Sequence, residues 1–197
     1  MKRKDVISNN EISELCSFPL GGYEQKVLIE GRKKDSPIII TLHGGPGTPI
    51  PMSVGCRGLF PEFTDNFIVV YWDQLGCGIN NYVIDDAFSI DSFVQMTEDL
   101  VEHIKKKFPN NKMMIFSTSW GSILSTKILE RNPHAVDAVI ACGQIVKNVF
   151  ICDEVKNALC QSGIPKKKLE RINNVTVENF SGKDLKLISD SLRKYTD

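Results

Sequence analysis

The sequence predicts an α/β protein, a mostly parallel sheet flanked by helices with a separate helical segment after it. Three observations carry this. Short apolar runs rich in β-branched residues alternate with stretches of helical periodicity. These runs are continuous rather than alternating in hydrophobicity, as strands covered on both faces are. The composition then changes at about residue 145, beyond which no β-rich run follows. At 197 residues, 42% of them apolar, the chain can bury a sizeable core as one or two domains.

Taken in order, "KVLIE" (26–30), "PIIITLH" (37–43), "FIVVYWD" (67–73), "KMMIFS" (112–117) and "VDAVIAC" (136–142) read as strands. Between the third and fourth, "DSFVQMTEDLVEHIKKKF" places Phe93, Met96 or Thr97, Leu100, Ile104 and Phe108 on one stripe, with lysines in the last turn where they complement the helix dipole. After Ser119, Ile123, Leu124, Ile128 and Leu129 repeat the helical spacing. That helix stops at "RNP", because the residue before Pro133 resists the α conformation. Strands joined through helices pair in parallel by right-handed crossovers, so the last four strands are expected to be neighbours in one sheet. From there "VFICDEVKNALCQSG", "PKKKLERI" and "SGKDLKLISDSLRKY" are helical in pattern, polar and basic. The expected organisation is a core over 1–145 and an appended helical subdomain over 146–197.

Lys plus Arg (24) balances Asp plus Glu (24), which argues against nucleic acid or an anionic membrane as partner. The lysine runs at 105–107 and 166–168 read as solvated helix faces. Six cysteines, at 16, 56, 77, 142, 152 and 160, form no C-x-x-C pair and no zinc spacing, so no metal is expected. Cys77 and Cys142 lie beside glycines in or next to apolar runs, where reduced cysteine acts as a small core residue. The basic start "MKRKDVISNNEISE" leads into no apolar stretch, and no run approaches a membrane span. A cytoplasmic, soluble protein is the expectation.

Ligands of open α/β sheets bind at the carboxyl ends of the strands, and three loops there are unusual: "HGGPG" (43–47), "DQLGCG" (73–78) and "STSWGS" (117–122). A nucleophile elbow has the form G-x-S-x-G, because the serine takes strained backbone angles and bulky neighbours two residues away collide with strand and helix. Here Ser119 would be that serine, with Ser117 in place of the first glycine and Gly121 as the second. Taken alone, the loop fits a helix-capping serine equally well. The glycine loop shifts the balance, since acyl transfer needs N–H donors aimed at a developing oxyanion. Gly44 and Gly45 are the candidates from the first loop, and the amide of Trp120 is the second donor.

In these residues the sequence resembles the proline iminopeptidase group of the α/β-hydrolases, which carries HGGPG, D-Q-R-G-x-G and G-G-S-W-G-S in this order at strand ends. The resemblance runs over roughly residues 15–145, with Leu75 standing where the group has Arg and Ser117 where it has Gly. It implies an α/β-hydrolase fold, the N-terminal part of its sheet with the beginning of a helical cap. It further implies Ser119 as the acylated nucleophile, an oxyanion hole from Gly44 or Gly45 and Trp120, no cofactor, and a cap that receives the substrate's amino terminus. The expected function is a serine hydrolase of aminopeptidase type acting on small peptides. An esterase or amide hydrolase of the same fold is the alternative, and a non-catalytic binding protein is the rival from another class. A haloalkane or epoxide hydrolase would carry Asp in place of Ser119. In this fold an acid and a histidine follow the nucleophile, whereas the histidines here are His43, His103 and His134, none at the expected place. The chain therefore reads as an amino-terminal half, inactive by itself and prone to self-association through the exposed edge of a sheet cut short.

Overall fold

The apolar runs form one six-stranded mixed sheet in a computed structural model, which describes residues 2–49, 51–84, 88–146, 152–176 and 182–196. The chain opens with helix α1 (Arg3–Asn9), then strands β1 (Ile12–Leu20), β2 (Tyr23–Gly31) and β3 (Ile38–Leu42), and the short helix α2 (Pro61–Thr64) before β4 (Ile68–Tyr71). It continues through α3 (Ile90–Lys107), β5 (Met113–Thr118), α4 (Trp120–Arg131) and β6 (Ala138–Cys142). Three further helices follow, α5 (Asp153–Gln161), α6 (Lys166–Asn173) and α7 (Gly182–Tyr195). Contacts divide the chain into two units, Met1–Ile145 and Val146–Asp197.

The strand order is β1-β2-β4-β3-β5-β6. As the sequence led us to expect, β4, β3, β5 and β6 are neighbours and all pair in parallel. The first two strands add an antiparallel hairpin, whose β2 also runs antiparallel to β4, so the sheet is mixed. Neither β1 nor α1 figures in the sequence reading. The hairpin turns at Gly21 and Gly22, both at positive φ (60° and 83°), the geometry a two-residue hairpin turn requires.

Every residue of β3 and β4 is buried. On one face Ile38, Ile40 and Leu42 join Phe93, Met96, Leu100 and Ile104 of α3 and Leu124 and Ile128 of α4. The other face sets Leu28, Val69 and Tyr71 against Met52, Val54, Phe60 and Phe67. Each such aliphatic side chain contributes about 1.5–3 kcal/mol on burial, so β3 and β4 are fixed platforms for the loops at their ends. Helix α3 starts at Ser89, whose side chain accepts the Ser92 amide at 3.3 Å, and it buries the predicted stripe except for half-buried Phe108.

The edge strand β6 departs from its sequence reading. A continuous apolar run implies cover on both faces, yet Ile140 is 51% exposed and Cys142 is exposed, so Cys142 is not the core residue expected, whereas Cys77 is buried. Periodicity reports that a strand is apolar and cannot report whether another strand lies beside it.

In the second unit α5, α6 and α7 bury Leu159, Ile164, Ile172, Val175 and Ile188 in a small core of their own, and Arg171 reaches the Asp184 carboxylate at 3.0 Å. Among the described residues no helix is long and apolar enough to cross a membrane.

Candidate active site

Ser119 sits between β5 and α4 at φ 48°, ψ −115°, and is the non-glycine residue with positive φ among those described. Such a conformation costs on the order of 1–3 kcal/mol and persists only where its surroundings impose it. They do so here through the backbone. The Ser119 amide donates to the Cys142 carbonyl at 3.0 Å, and its own carbonyl accepts the Ser122 amide at 2.9 Å and the Ser122 hydroxyl at 2.6 Å. The Ser122 oxygen in turn accepts the Ile145 amide at 3.0 Å. The Ser119 side chain is exposed and makes no capping hydrogen bond, which sets aside the reading of a helix-capping serine.

The two flanking positions of the elbow explain themselves by space. A Cβ on Gly121 would lie 2.7 Å from the Leu42 carbonyl carbon and 2.9 Å from the His43 oxygen, so α4 touches the end of β3 backbone to backbone. Ser117 is fully buried, and its hydroxyl lies 2.9 Å from that of Ser125 and 3.4 Å from the Ile140 carbonyl. The position therefore admits a small polar side chain in place of glycine.

The glycine loop closes on the elbow. A Cβ on Gly44 would stand 3.2 Å from the Ser119 Cβ, which shows how near the loop backbone passes to the serine. The Gly44 carbonyl is turned away, accepting the Thr48 amide at 3.2 Å and contacting His43 Nδ1 at 2.8 Å. Gly45, at φ 117°, leaves no room for a side chain, whose Cβ would meet the Gly47 nitrogen at 2.7 Å. Trp120 is the first residue of α4, where an amide has no partner within the helix. Ser119, Gly44 and the Trp120 backbone are thus brought together around one point.

Gln74, to which the sequence reading gave no role, ties these parts to each other. Its side chain donates to the His43 carbonyl at 3.2 Å and accepts the Trp120 indole N–H at 3.0 Å, while its backbone amide donates to His43 Nε2 at 3.0 Å. The signal was its place next to Asp73 in a glycine loop at a strand end. Asp73 is also buried, its carboxylate accepting the Val54 and Ile79 amides at 3.0 Å each and contacting the Ser53 hydroxyl at 3.4 Å. Leu75, in place of an arginine, packs into the main core.

His43 is no free base. With Nε2 accepting from Gln74, its proton sits on Nδ1, aimed at the Gly44 carbonyl. Burial pushes its imidazole below the ordinary 6.5, against the opposing effects of the Gly44 hydrogen bond and the Asp73 charge. The unfolded chain therefore takes up a proton at about pH 6.5 that the folded one refuses, and stability rises with pH in that window. This contribution is complete above pH 6.5 and is lost as the pH falls through the depressed folded value. Urea midpoints measured between pH 7.5 and 5.5 should fall more steeply for the native chain than for His43→Asn. Parallel slopes would remove His43 from the account.

The other histidines lie elsewhere. His103 stacks on Phe18 at 4.9 Å between ring centroids, and His134 is exposed beyond the far end of α4, a twelve-residue helix about 18 Å long. None of the three hydrogen-bonds the Ser119 side chain. Among the described residues no cluster of His, Cys, Asp and Glu is arranged to hold a metal ion.

A sequence model of the alpha/beta hydrolase fold matches residues 37–195. The chain is similar to the probable aminopeptidase YbaC of Bacillus subtilis (strain 168), 30% identical over 144 residues, which are 72% of this chain and 44% of that protein. It is also similar to the proline iminopeptidase of Neisseria gonorrhoeae, 33% identical over 126 residues, 62% of this chain and 36% of that one. The crystal structure of a proline iminopeptidase-related protein from Thermus thermophilus superposes with a TM-score of 0.59 at 21% identity, covering 88% of this chain and 59% of that one, a likeness of fold. The chain spans less than half the length of these two curated relatives.

Proposed function

The chain belongs to the alpha/beta hydrolase fold family, and from that premise we propose that it is the nucleophile-bearing part of a serine hydrolase, of the aminopeptidase type that proline iminopeptidases represent. The observation that carries the proposal is the strained Ser119 with its exposed hydroxyl, held beside Gly44 and the first amide of α4. In the reaction proposed, Ser119 Oγ bonds to the carbonyl carbon of the substrate as its proton passes to a base. The amides of Trp120 and of Gly44 or Gly45 receive the negative charge that develops on the carbonyl oxygen. The C–N bond then breaks, the amine leaves with a proton, and water releases the acyl group from the serine. Donors of this kind contribute on the order of 3–4 kcal/mol each.

None of the three histidines hydrogen-bonds the Ser119 side chain, which supports the proposal that this chain by itself reacts slowly, with the residual rate that an oxyanion hole supports without its base. The helical unit 146–197 is proposed as part of the cap. A fluorophosphonate probe followed by peptide mass mapping tests the core of this. Slow labelling at Ser119, absent in Ser119→Ala, is the expected result. Release of an amino-terminal proline from a chromogenic amide in preference to hydrolysis of a simple ester would support the aminopeptidase, and the reverse the esterase. No adduct at Ser119 after prolonged exposure would leave the non-catalytic binding protein in front.

The uncovered strand β6 supports a second expectation, self-association through that edge, since an unpaired apolar edge is a template for further pairing. Light scattering should show dimers or larger species that Ile140→Lys disperses, and a monomer at all concentrations would discard it.

A further inference from the structure

Beneath Ser119 a buried hydroxyl joins the elbow to the chain beyond β6. Ser122 is fully buried on the first turn of α4. A hydroxyl has one proton to give, and the direction of this one is settled by its second partner. The Ile145 amide, 3.0 Å from the Ser122 oxygen, can only donate, so the Ser122 proton goes to the Ser119 carbonyl at 2.6 Å. The Ser122 amide donates to the same carbonyl at 2.9 Å. One residue thereby occupies both lone pairs of the Ser119 carbonyl. The torsion these bonds hold is the ψ of Ser119, −115°. A trans peptide is planar, with its N–H antiparallel to its C=O. Fixing the Ser119 carbonyl therefore fixes the Trp120 amide, which lies in the same plane and points the opposite way, out of the first turn of α4.

We propose that Ser122 is a positioning residue, holding the peptide between Ser119 and Trp120 so that the Trp120 N–H stays aimed at the developing oxyanion, and that the Ile145 amide keeps the Ser122 hydroxyl turned to that carbonyl. The proposal rests on the reading of Ser119 as nucleophile. Serines in helices often return their hydroxyl to a carbonyl three or four residues back, with only a slight effect on the helix. Ser125 does so one turn on, donating to the Ser122 carbonyl at 3.1 Å. Two features set Ser122 apart from it. Its acceptor belongs to the residue held at positive φ, a conformation that persists only while its surroundings impose it. The plane it holds also carries an amide with no partner within the helix. Rotation of that plane turns the donor away from the developing charge and leaves the serine side chain in place. The loss then falls on the bond-forming step rather than on binding.

Two measurements test this and separate it from the reading it rests on. In protein labelled with 13C and 15N, Ser122→Ala should shift the carbonyl carbon at position 119 and the Trp120 amide nitrogen together, in the native background and in Ser119→Ala alike. Absence of both shifts overturns the brace whatever the serine does. Labelling of Ser119 by a fluorophosphonate over a range of probe concentrations gives the second measurement. In Ser122→Ala the limiting rate should fall about tenfold, short of the hundredfold or more that outright loss of a donor costs, while the half-saturating probe concentration stays unchanged. Ser122→Thr, which keeps the hydroxyl, should recover most of the rate. Ile145→Pro, which removes the amide proton, should lower the rate about threefold, as the loss of one hydrogen bond does. Ser125→Ala, which removes a hydroxyl bond of the same kind, should leave it within about twofold. Equal rates in Ser122→Ala and the native chain, or equal losses in Ser122→Ala and Ser125→Ala, would overturn Ser122 as a positioning residue and leave the nucleophile standing. No labelling of the native chain would instead remove the nucleophile, and this role with it, leaving Ser122 as a brace of the turn.

Discussion

Gly121→Ala should lower the melting temperature of the core by roughly 6 to 12 °C, the counterpart of about 3 kcal/mol for a protein of this size. The side chain it introduces meets no flexible neighbour able to yield. It meets the carbonyls of Leu42 and His43, at the end of a strand hydrogen-bonded to β4 on one side and β5 on the other. Overpacking typically costs 1–3 kcal/mol, and an obstacle of backbone in mid-sheet places this case at the upper end. Gly22→Ala separates crowding from backbone preference, because Gly22 has φ 83° with nothing within 4 Å of an added Cβ. That variant should lose only about 1–2 kcal/mol. Equal melting of the two variants would mean that α4 does not approach β3 as closely as described.

Gln74→Ala should destabilise by a similar amount for a different reason. Its amide group serves the His43 carbonyl and the Trp120 indole at once, in a site where Gln74 is 1% exposed. Removing it leaves the buried His43 carbonyl without this donor, at about 1–3 kcal/mol, the half-buried Trp120 indole without its acceptor, at less, and empties the space the side chain filled. The expected loss in urea denaturation is about 3 kcal/mol or more. The Trp120 indole N–H resonance should move upfield as its hydrogen bond is lost. Gln74→Glu keeps an acceptor for the indole and loses the donor to His43, so it should restore the resonance while remaining unstable. A loss below about 0.5 kcal/mol in Gln74→Ala would show that the two loops hold together without this bridge.

The parallel part of the sheet was legible because β3, β4, β5 and β6 are short, continuous, apolar and joined through helices, properties carried by neighbouring residues. The glycine loops were legible for the same reason, since the motif and the strand before it are contiguous. The first hairpin was not. Strand β1 buries its ends and leaves much of its middle exposed, includes Pro19, and shows neither continuous nor strict alternating hydrophobicity. The signal that could have found it is the Gly21-Gly22 pair between two extended runs. Gln74 stood inside a quoted motif, yet its part depends on residues far from it along the chain, His43 and Trp120, and no local pattern encodes such pairs. The exposure of Cys142 was missed because it depends on what lies beside β6.

Ser119 also sets the chemistry of one side chain against the stability of the backbone that carries it. Glycine reaches φ 48° without a clash from Cβ. On folding grounds alone glycine suits the position better, and Ser119→Gly should raise the melting temperature by a few degrees. What glycine would remove at this position is the side-chain hydroxyl, which is exposed and makes no capping hydrogen bond. The elbow thus displays one oxygen atom at a measurable expense in the stability of the fold that holds it.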